Sequence, residues 1–105
     1  MRMPRSIKVA HRRYEVIGLR SEAARAQGIN GDCKTEPPTI RVDRGLKPPD
    51  RAETMIHEVL HACWRHLPAT TDEETAVTTL AENLAQVWAD NPDLVAWISH
   101  CLARH

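Results

Sequence analysis

The chain has 105 residues, with 14 Lys and Arg against 14 Asp and Glu, so its formal net charge is zero. This length suits a single domain with one core, and the hydrophobic (42%) and charged (27%) fractions are ordinary for a globular protein. No apolar run approaches the roughly 20 residues of a membrane span, and the basic N-terminus lacks the apolar segment of a signal peptide, so we expect a cytoplasmic protein.

Charge is distributed unevenly along the chain. Residues 1–34 carry eight Lys and Arg against three Asp and Glu, whereas residues 35–105 carry six against eleven. A basic first third could contact nucleic acid. Because Tyr14 is the only aromatic residue in that third, a solvated surface is the preferred interpretation. The acidic remainder suits a region that holds a cation.

The first part of the chain predicts two strands and a short helix. SIKVA (residues 6–10) and RYEVIGL (residues 13–19) alternate in part and are rich in Ile and Val, which is typical of strands. SEAARAQG (residues 21–28) predicts a helix with Ser21 as its N-cap and Gly28 as its C-terminal stop.

A turn and another strand come next. Asn30 and Gly31 are a turn signal, and the alternating TIRVD (residues 39–43) predicts a strand near a sheet edge. Helical patterns fill the rest of the chain. Strands followed by helices favour the α+β class. We expect one domain over residues 1–105, in which a small N-terminal β-sheet packs on the next helix and two C-terminal helices follow.

That next helix has a clear start signal. Asp50 and Glu53 form a capping-box pattern, so the helix should run from about residue 51 to 66. The helix contains Cys63, one of the three cysteines of the chain. Their odd number and the lack of a CxxC pair argue against a disulfide framework. Cys63 and Cys101 are expected to be buried free thiols.

A second capping pattern, Thr71 with Glu74, predicts a helix that ends at about residue 89. A stripe at helical spacing is expected to face inward: Val77, Ala81, Leu84 and Trp88. A further stripe predicts a last helix: Leu94, Trp97, Ile98, Cys101 and Leu102.

The segment HEVLH carries the chemistry. His57 and His61 are four residues apart, so on a helix both imidazoles lie on one face and can reach one ion. Glu58 lies about 100° round the helix from His57, where it can take a proton from the attacking water. This is the H-E-x-x-H pattern of zinc sites, with two histidine ligands and a glutamate base.

A catalytic zinc site uses three protein ligands, so a third donor is required. His66 lies nine residues after His57, one short of the metzincin spacing, and is better explained as a helix C-terminal residue. The first turn of the following helix offers Glu73 and Glu74, both partly inward-facing. Periodicity does not choose between them, and Glu74 is the preferred candidate.

At these positions the chain resembles gluzincin-type zinc metallopeptidases, in which H-E-x-x-H is joined by a glutamate from a later helix. In size and element order it is similar to minigluzincins and to small zincin-like proteins of phages and prophages. The resemblance covers most of residues 31–98 through GDCKTEPPTIRVD, RAETMIHEVLHACW, EETAV and NPDLVAWI.

The resemblance implies a zinc metallopeptidase in which a small sheet packs on the metal helix. It implies zinc held by His57, His61 and Glu74 (or Glu73), with Glu58 catalytic. It also implies that the strand at residues 39–43 lines the cleft and pairs with an extended peptide or protein substrate. An edge strand suits this role because its backbone groups are unpaired.

Two other functions are compatible with the sequence. The chain could be a regulatory or interaction module that binds zinc without turnover. Such structural sites are usually closed by four protein ligands, and His66 would be the candidate for the fourth. A nucleic-acid-binding protein that uses the basic first third is the less favoured possibility, and strong salt dependence of binding would identify it.

Overall fold

The computed structural model describes residues 1–65, 67–69 and 71–104. In this part of the chain, helices pack against a four-stranded sheet. The elements follow in the order β1 (Ser6–Val9), β2 (Arg12–Leu19), α1 (Ser21–Gln27), β3 (Gly31–Thr35), β4 (Pro38–Asp43), α2 (Pro48–Trp64), α3 (Glu73–Asp90) and α4 (Pro92–Leu102). The predicted α+β class is therefore confirmed. None of the helices in these ranges is long and apolar enough to cross a membrane.

The strand order in the sheet is β1-β2-β4-β3. β4 pairs in parallel with β2 and antiparallel with β3, while β1 pairs antiparallel with β2. The strand predicted at residues 39–43 therefore lies next to the sheet edge, but it is not the edge strand that the expected pairing with a substrate requires. The edge beside β4 is β3, which sequence analysis missed because Asn30 and Gly31 indicated only a turn. Burial agrees, since Thr39 and Asp43 are buried on one face of β4 and Ile40 and Val42 on the other.

One hydrophobic core lies between the sheet and the helices. The sheet contributes Ile7, Val9, Tyr14, Ile40 and Val42, and α2 contributes Met55, Val59 and Cys63. The apolar stripe predicted for α4 is confirmed except at its last residue: Leu94, Trp97, Ile98 and Cys101 are buried, and Leu102 is exposed. Burial of each large aliphatic side chain contributes about 1.5–3 kcal/mol, so these layers dominate stability.

The thiols behave as expected for buried cysteines. Cys63 and Cys101 are free and buried, as predicted, and Cys33 on β3 is buried as well. Burial raises the pKa of Cys63 to about 11. A thiol with so high a pKa is protonated at neutral pH and is a poor nucleophile or metal ligand.

The stripe of α3 that faces the core differs from the predicted stripe. Ala76 and Val87 are buried, and Leu80 and Leu84 pack against the core, whereas Val77 is 57% exposed. Trp88 and Ala81 are exposed too. The helix has apolar residues on neighbouring stripes, so periodicity alone does not determine its rotation. Packing against α2, β1 and α4 does.

Three predicted helix starts differ from those in the structure. α2 begins at Pro48, ahead of Asp50, because proline suits the first helical turn. α3 is capped by Asp72, whose carboxylate accepts from the Thr75 backbone N–H. Thr71, the predicted cap, donates its hydroxyl to the Pro68 carbonyl instead. The α1 start differs as well, since the Ser21 hydroxyl donates to Asp43 within a helix that begins at Ser21.

The α1 stop is as predicted. Gly28 has a left-handed conformation, with φ 68°, and its N–H bonds to the last turn of the helix. Glycine adopts this conformation without a steric penalty.

A buried asparagine joins the first strand to the junction of the last two helices. The Asn91 amide donates to the carbonyls of Lys8 and Val87, each at 2.8 Å, and its oxygen accepts from the Lys8 backbone N–H at 2.9 Å. Asn91 is 3% exposed. Removal of the side chain would leave the Lys8 N–H and carbonyl without these partners, whereas the Val87 carbonyl would keep its bond from the Asn91 backbone N–H at 3.0 Å.

We expect Asn91→Ala to lower the free energy of unfolding by about 3 kcal/mol, because it leaves buried backbone groups unsatisfied. Asn83→Ala is the matched control, since Asn83 lies within α3 and makes no side-chain hydrogen bond within the described ranges. Chemical denaturation of both variants measures the difference. Equal stability of the two would show that Asn91 does not anchor β1.

Candidate metal centre

Helix α2 presents three predicted site residues together. Its inner face packs on the core through Ala52, Met55, Val59, Ala62 and Cys63. His57 and His61 lie on its exposed flank, one helical turn apart. Glu58 is turned inward and is only 5% exposed. The inner face thus fixes the rotation of the helix and, with it, the direction of all three side chains.

The two imidazoles are arranged as ligands of a single ion would be. The Nε2 atoms of His57 and His61 are 3.1 Å apart. Two nitrogens bound to one zinc at 2.0–2.1 Å with tetrahedral angles would be about 3.3 Å apart. The ligand atoms of His57, Glu58 and His61 all lie within 4.8 Å of one another. These three residues are therefore close enough to bind a metal ion.

Glu58 combines burial with access to a cavity. The cavity has a volume of about 510 Å³ and is lined by residues 28–31 and by α2, including Glu53, His57 and Glu58. Burial raises the pKa of the Glu58 carboxyl, while His57 and His61 act in the opposite direction. A carboxylate with a raised pKa accepts a proton more readily near neutral pH, which general-base chemistry requires.

Strand β3 comes very close to α2 at Gly31. A Cβ atom on Gly31 would lie 2.6 Å from the Arg41 carbonyl oxygen, 2.8 Å from Thr54 Cγ2 and 3.4 Å from Glu58 Oε2. Only glycine fits here, because a Cβ atom would overlap the backbone of the neighbouring strand β4 at Arg41 as well as the Thr54 side chain of α2. Sequence analysis missed this role. The Asn30-Gly31 signal predicts a turn and contains no information about a partner helix.

Arg65, at the C-terminal end of α2, makes hydrogen bonds to the same strand. Its guanidinium donates to the Cys33 carbonyl at 2.6 Å and to Thr35 Oγ1 at 2.7 Å, and it also contacts Cys33 Sγ at 3.6 Å. Arg65 is the C-cap residue of α2. The helix is therefore attached to β3 at both ends of the strand, by packing at Gly31 and by hydrogen bonds at Cys33 and Thr35.

The structure does not bring the predicted third ligand into this group. Glu74 and Glu73 are exposed in the first turn of α3, and neither belongs to the close set on α2. Glu74 as ligand therefore stays a prediction. The core-facing stripe of α3 includes Leu80 and Leu84. These residues follow Glu73 by seven and eleven positions, so Glu73 lies on the same stripe. Glu74 lies about 100° further round the helix. His66 lies outside the described residues.

Comparison of the chain with protein-family models, curated proteins and solved structures finds no match. The chemistry of the site is therefore inferred from its own residues and geometry.

We expect Gly31→Ala to lower the free energy of unfolding by about 1–3 kcal/mol, because the added methyl group would overlap the Arg41 carbonyl of β4 and the Thr54 side chain of α2. Gly18→Ala is the matched strand control. The nearest neighbour of its new Cβ is the flexible end of Met3, at 3.0 Å. Urea denaturation of both variants measures the costs, and an equally small cost at Gly31 would contradict the close approach of helix and strand.

Proposed function

We propose that this protein is a zinc metallopeptidase that hydrolyses a peptide bond with Glu58 as general base. The observation that carries the proposal is the pair of His57 and His61 Nε2 atoms, 3.1 Å apart, beside a carboxylate that is 5% exposed. Two imidazoles with a carboxylate from a later helix are a common donor set for catalytic zinc. The same three α2 residues are those of the H-E-x-x-H pattern.

His57 and His61 hold the metal in this proposal, and a glutamate on α3 completes the ligand set. Glu74 is the choice from the sequence, while the burial pattern of α3 supports Glu73. A bound zinc ion would supply a Lewis acid that makes water more acidic and polarises the substrate carbonyl.

Glu58 performs the proton transfers. Its carboxylate takes the proton from the attacking water and passes it to the leaving nitrogen, which becomes a neutral amine. Burial favours this role, because the raised pKa of Glu58 makes the carboxylate a stronger base. Packing against Gly31 limits the motion of the side chain, since Glu58 Oε2 lies close to the strand.

The substrate would be an extended peptide bound along β3. The strand at residues 39–43, expected to take this role, already has partners on both sides. No strand of the described residues pairs with the outer edge of β3, where the Cys33 carbonyl accepts from Arg65. β3 lies against α2, and its first residue, Gly31, lines the same cavity as His57 and Glu58. Backbone hydrogen bonds to such an edge bind a peptide without requiring a particular sequence.

We expect purified wild-type protein, prepared without added metal or a histidine tag, to contain about one zinc per chain. His61→Ala should lose it, because a single imidazole and a carboxylate bind zinc much more weakly. Glu73→Ala and Glu74→Ala identify the third ligand as the one whose variant loses zinc. Elemental mass spectrometry measures the zinc content of each protein. If the wild-type protein held no zinc even after zinc was added, the proposal would lose its basis.

We expect Glu58→Gln to retain zinc and to lose hydrolysis of a peptide library by a factor of about 10²–10⁴, since the amide cannot accept the proton. Glu82→Gln, an exposed change on α3, is the control. Loss of zinc in Glu58→Gln would instead make Glu58 a ligand. Zinc binding without any wild-type hydrolysis would favour the non-catalytic metal module.

A further inference from the structure

The metal-binding face of α2 has opposite charges at its two ends. Glu53, His57, His61 and Arg65 follow one another at intervals of four residues, so they form a single stripe along the helix. Each step is about 6 Å along the helix axis. The histidine pair therefore lies between a carboxylate on one side and a guanidinium on the other.

The acidic end opens into the cavity beside Glu58. Glu53 lines this cavity together with Asp50, His57 and Glu58. Both Glu53 and Asp50 are exposed, and no ion pair involves either of them within residues 1–65, 67–69 and 71–104. Their charges are therefore available to a basic group that enters the cavity.

The basic end lies at the unpaired edge of β3. The Asp43 N–H bonds to the Asn30 carbonyl, and hydrogen-bonded pairs alternate in an antiparallel ladder. The backbone groups of Cys33 consequently face away from β4, and the Cys33 carbonyl accepts a hydrogen bond from Arg65. Arg65 has no carboxylate partner among the described residues, so its charge is available to an acidic group.

The direction of a bound peptide follows from the direction of β3. The strand runs from Gly31, beside Thr54 and Glu58, to Thr35, beside Arg65, so it runs in the same sense as α2. Antiparallel pairing is the more stable arrangement. A peptide paired in this way has its amino end at Arg65 and its carboxyl end at Glu53.

We propose that the site selects peptides with an acidic side chain before the scissile bond and a basic side chain after it. This inference rests on the proposed peptidase function. Arg65 and Glu53 each lie about 9 Å along the helix axis from the midpoint of the histidines. That distance corresponds to about three residues of extended chain, so the selected positions are about three residues to either side of the bond.

The test uses two peptides of identical composition. One places Asp three residues before and Lys three residues after a central apolar pair, and the other exchanges Asp and Lys. Wild-type kcat/KM is measured for both, and fluorescence anisotropy measures their binding to zinc-loaded Glu58→Gln. Exposed charge pairs are individually weak, so we expect the acidic-first peptide to be favoured about tenfold at low salt and less at high salt.

Glu53→Lys is the informative variant, because Glu53 is exposed and makes none of the hydrogen bonds that attach Arg65 to β3. It should abolish the preference for Lys on the carboxyl side. Glu82→Lys, which changes charge by the same amount on α3, should leave the preference unchanged.

The outcomes separate the two proposals. Preferential binding of the acidic-first peptide without hydrolysis would support the charge selection and contradict the peptidase function. Hydrolysis of both peptides at equal rates, or a preference for the basic-first peptide, would overturn the charge selection while supporting the peptidase. Binding of neither peptide would also overturn the charge selection.

Discussion

The close contact between α2 and β3 at Gly31 is the constraint on which the site depends. Without a side chain at Gly31, the helix lies against the strand closely enough to bury Glu58 beside it. The helical repeat then places His57 and His61 on the exposed flank. One helix thus supplies the proposed base and two candidate ligands, and one contact sets the orientation of all three.

The same contact has an energetic cost that the rest of the fold must offset. Burial of the Glu58 carboxyl disfavours its charged form and so raises its pKa. The compensation comes from elements away from the site. The layers around Trp97 and Leu94 on α4 and the hydrogen bonds of Asn91 to β1 stabilise the scaffold. A site that is costly in itself can therefore persist on a rigid framework.

Features that depend on neighbours along the chain were predictable. The spacing of His57 and His61 places both on one helix face whatever surrounds the helix, and the left-handed stop at Gly28 needs only the absence of a side chain. The α4 stripe was also predicted well, because Trp97 and Ile98 lie on its single broad apolar face. In each case the helical repeat itself contains the information.

The sequence by itself determined the α+β class, the helix that contains HEVLH and the juxtaposition of His57, Glu58 and His61, because local spacing and capping specify them. Only the tertiary structure decided which strand is the sheet edge, how α3 is rotated and where Arg65 is attached. Strand neighbours are set by pairing between distant segments, as for β3 and β4. The rotation of a helix with several apolar stripes is set by its packing partners. The hydrogen bonds from Arg65 to Cys33 and Thr35 span about thirty residues of chain, a range over which neither periodicity nor turn chemistry carries information.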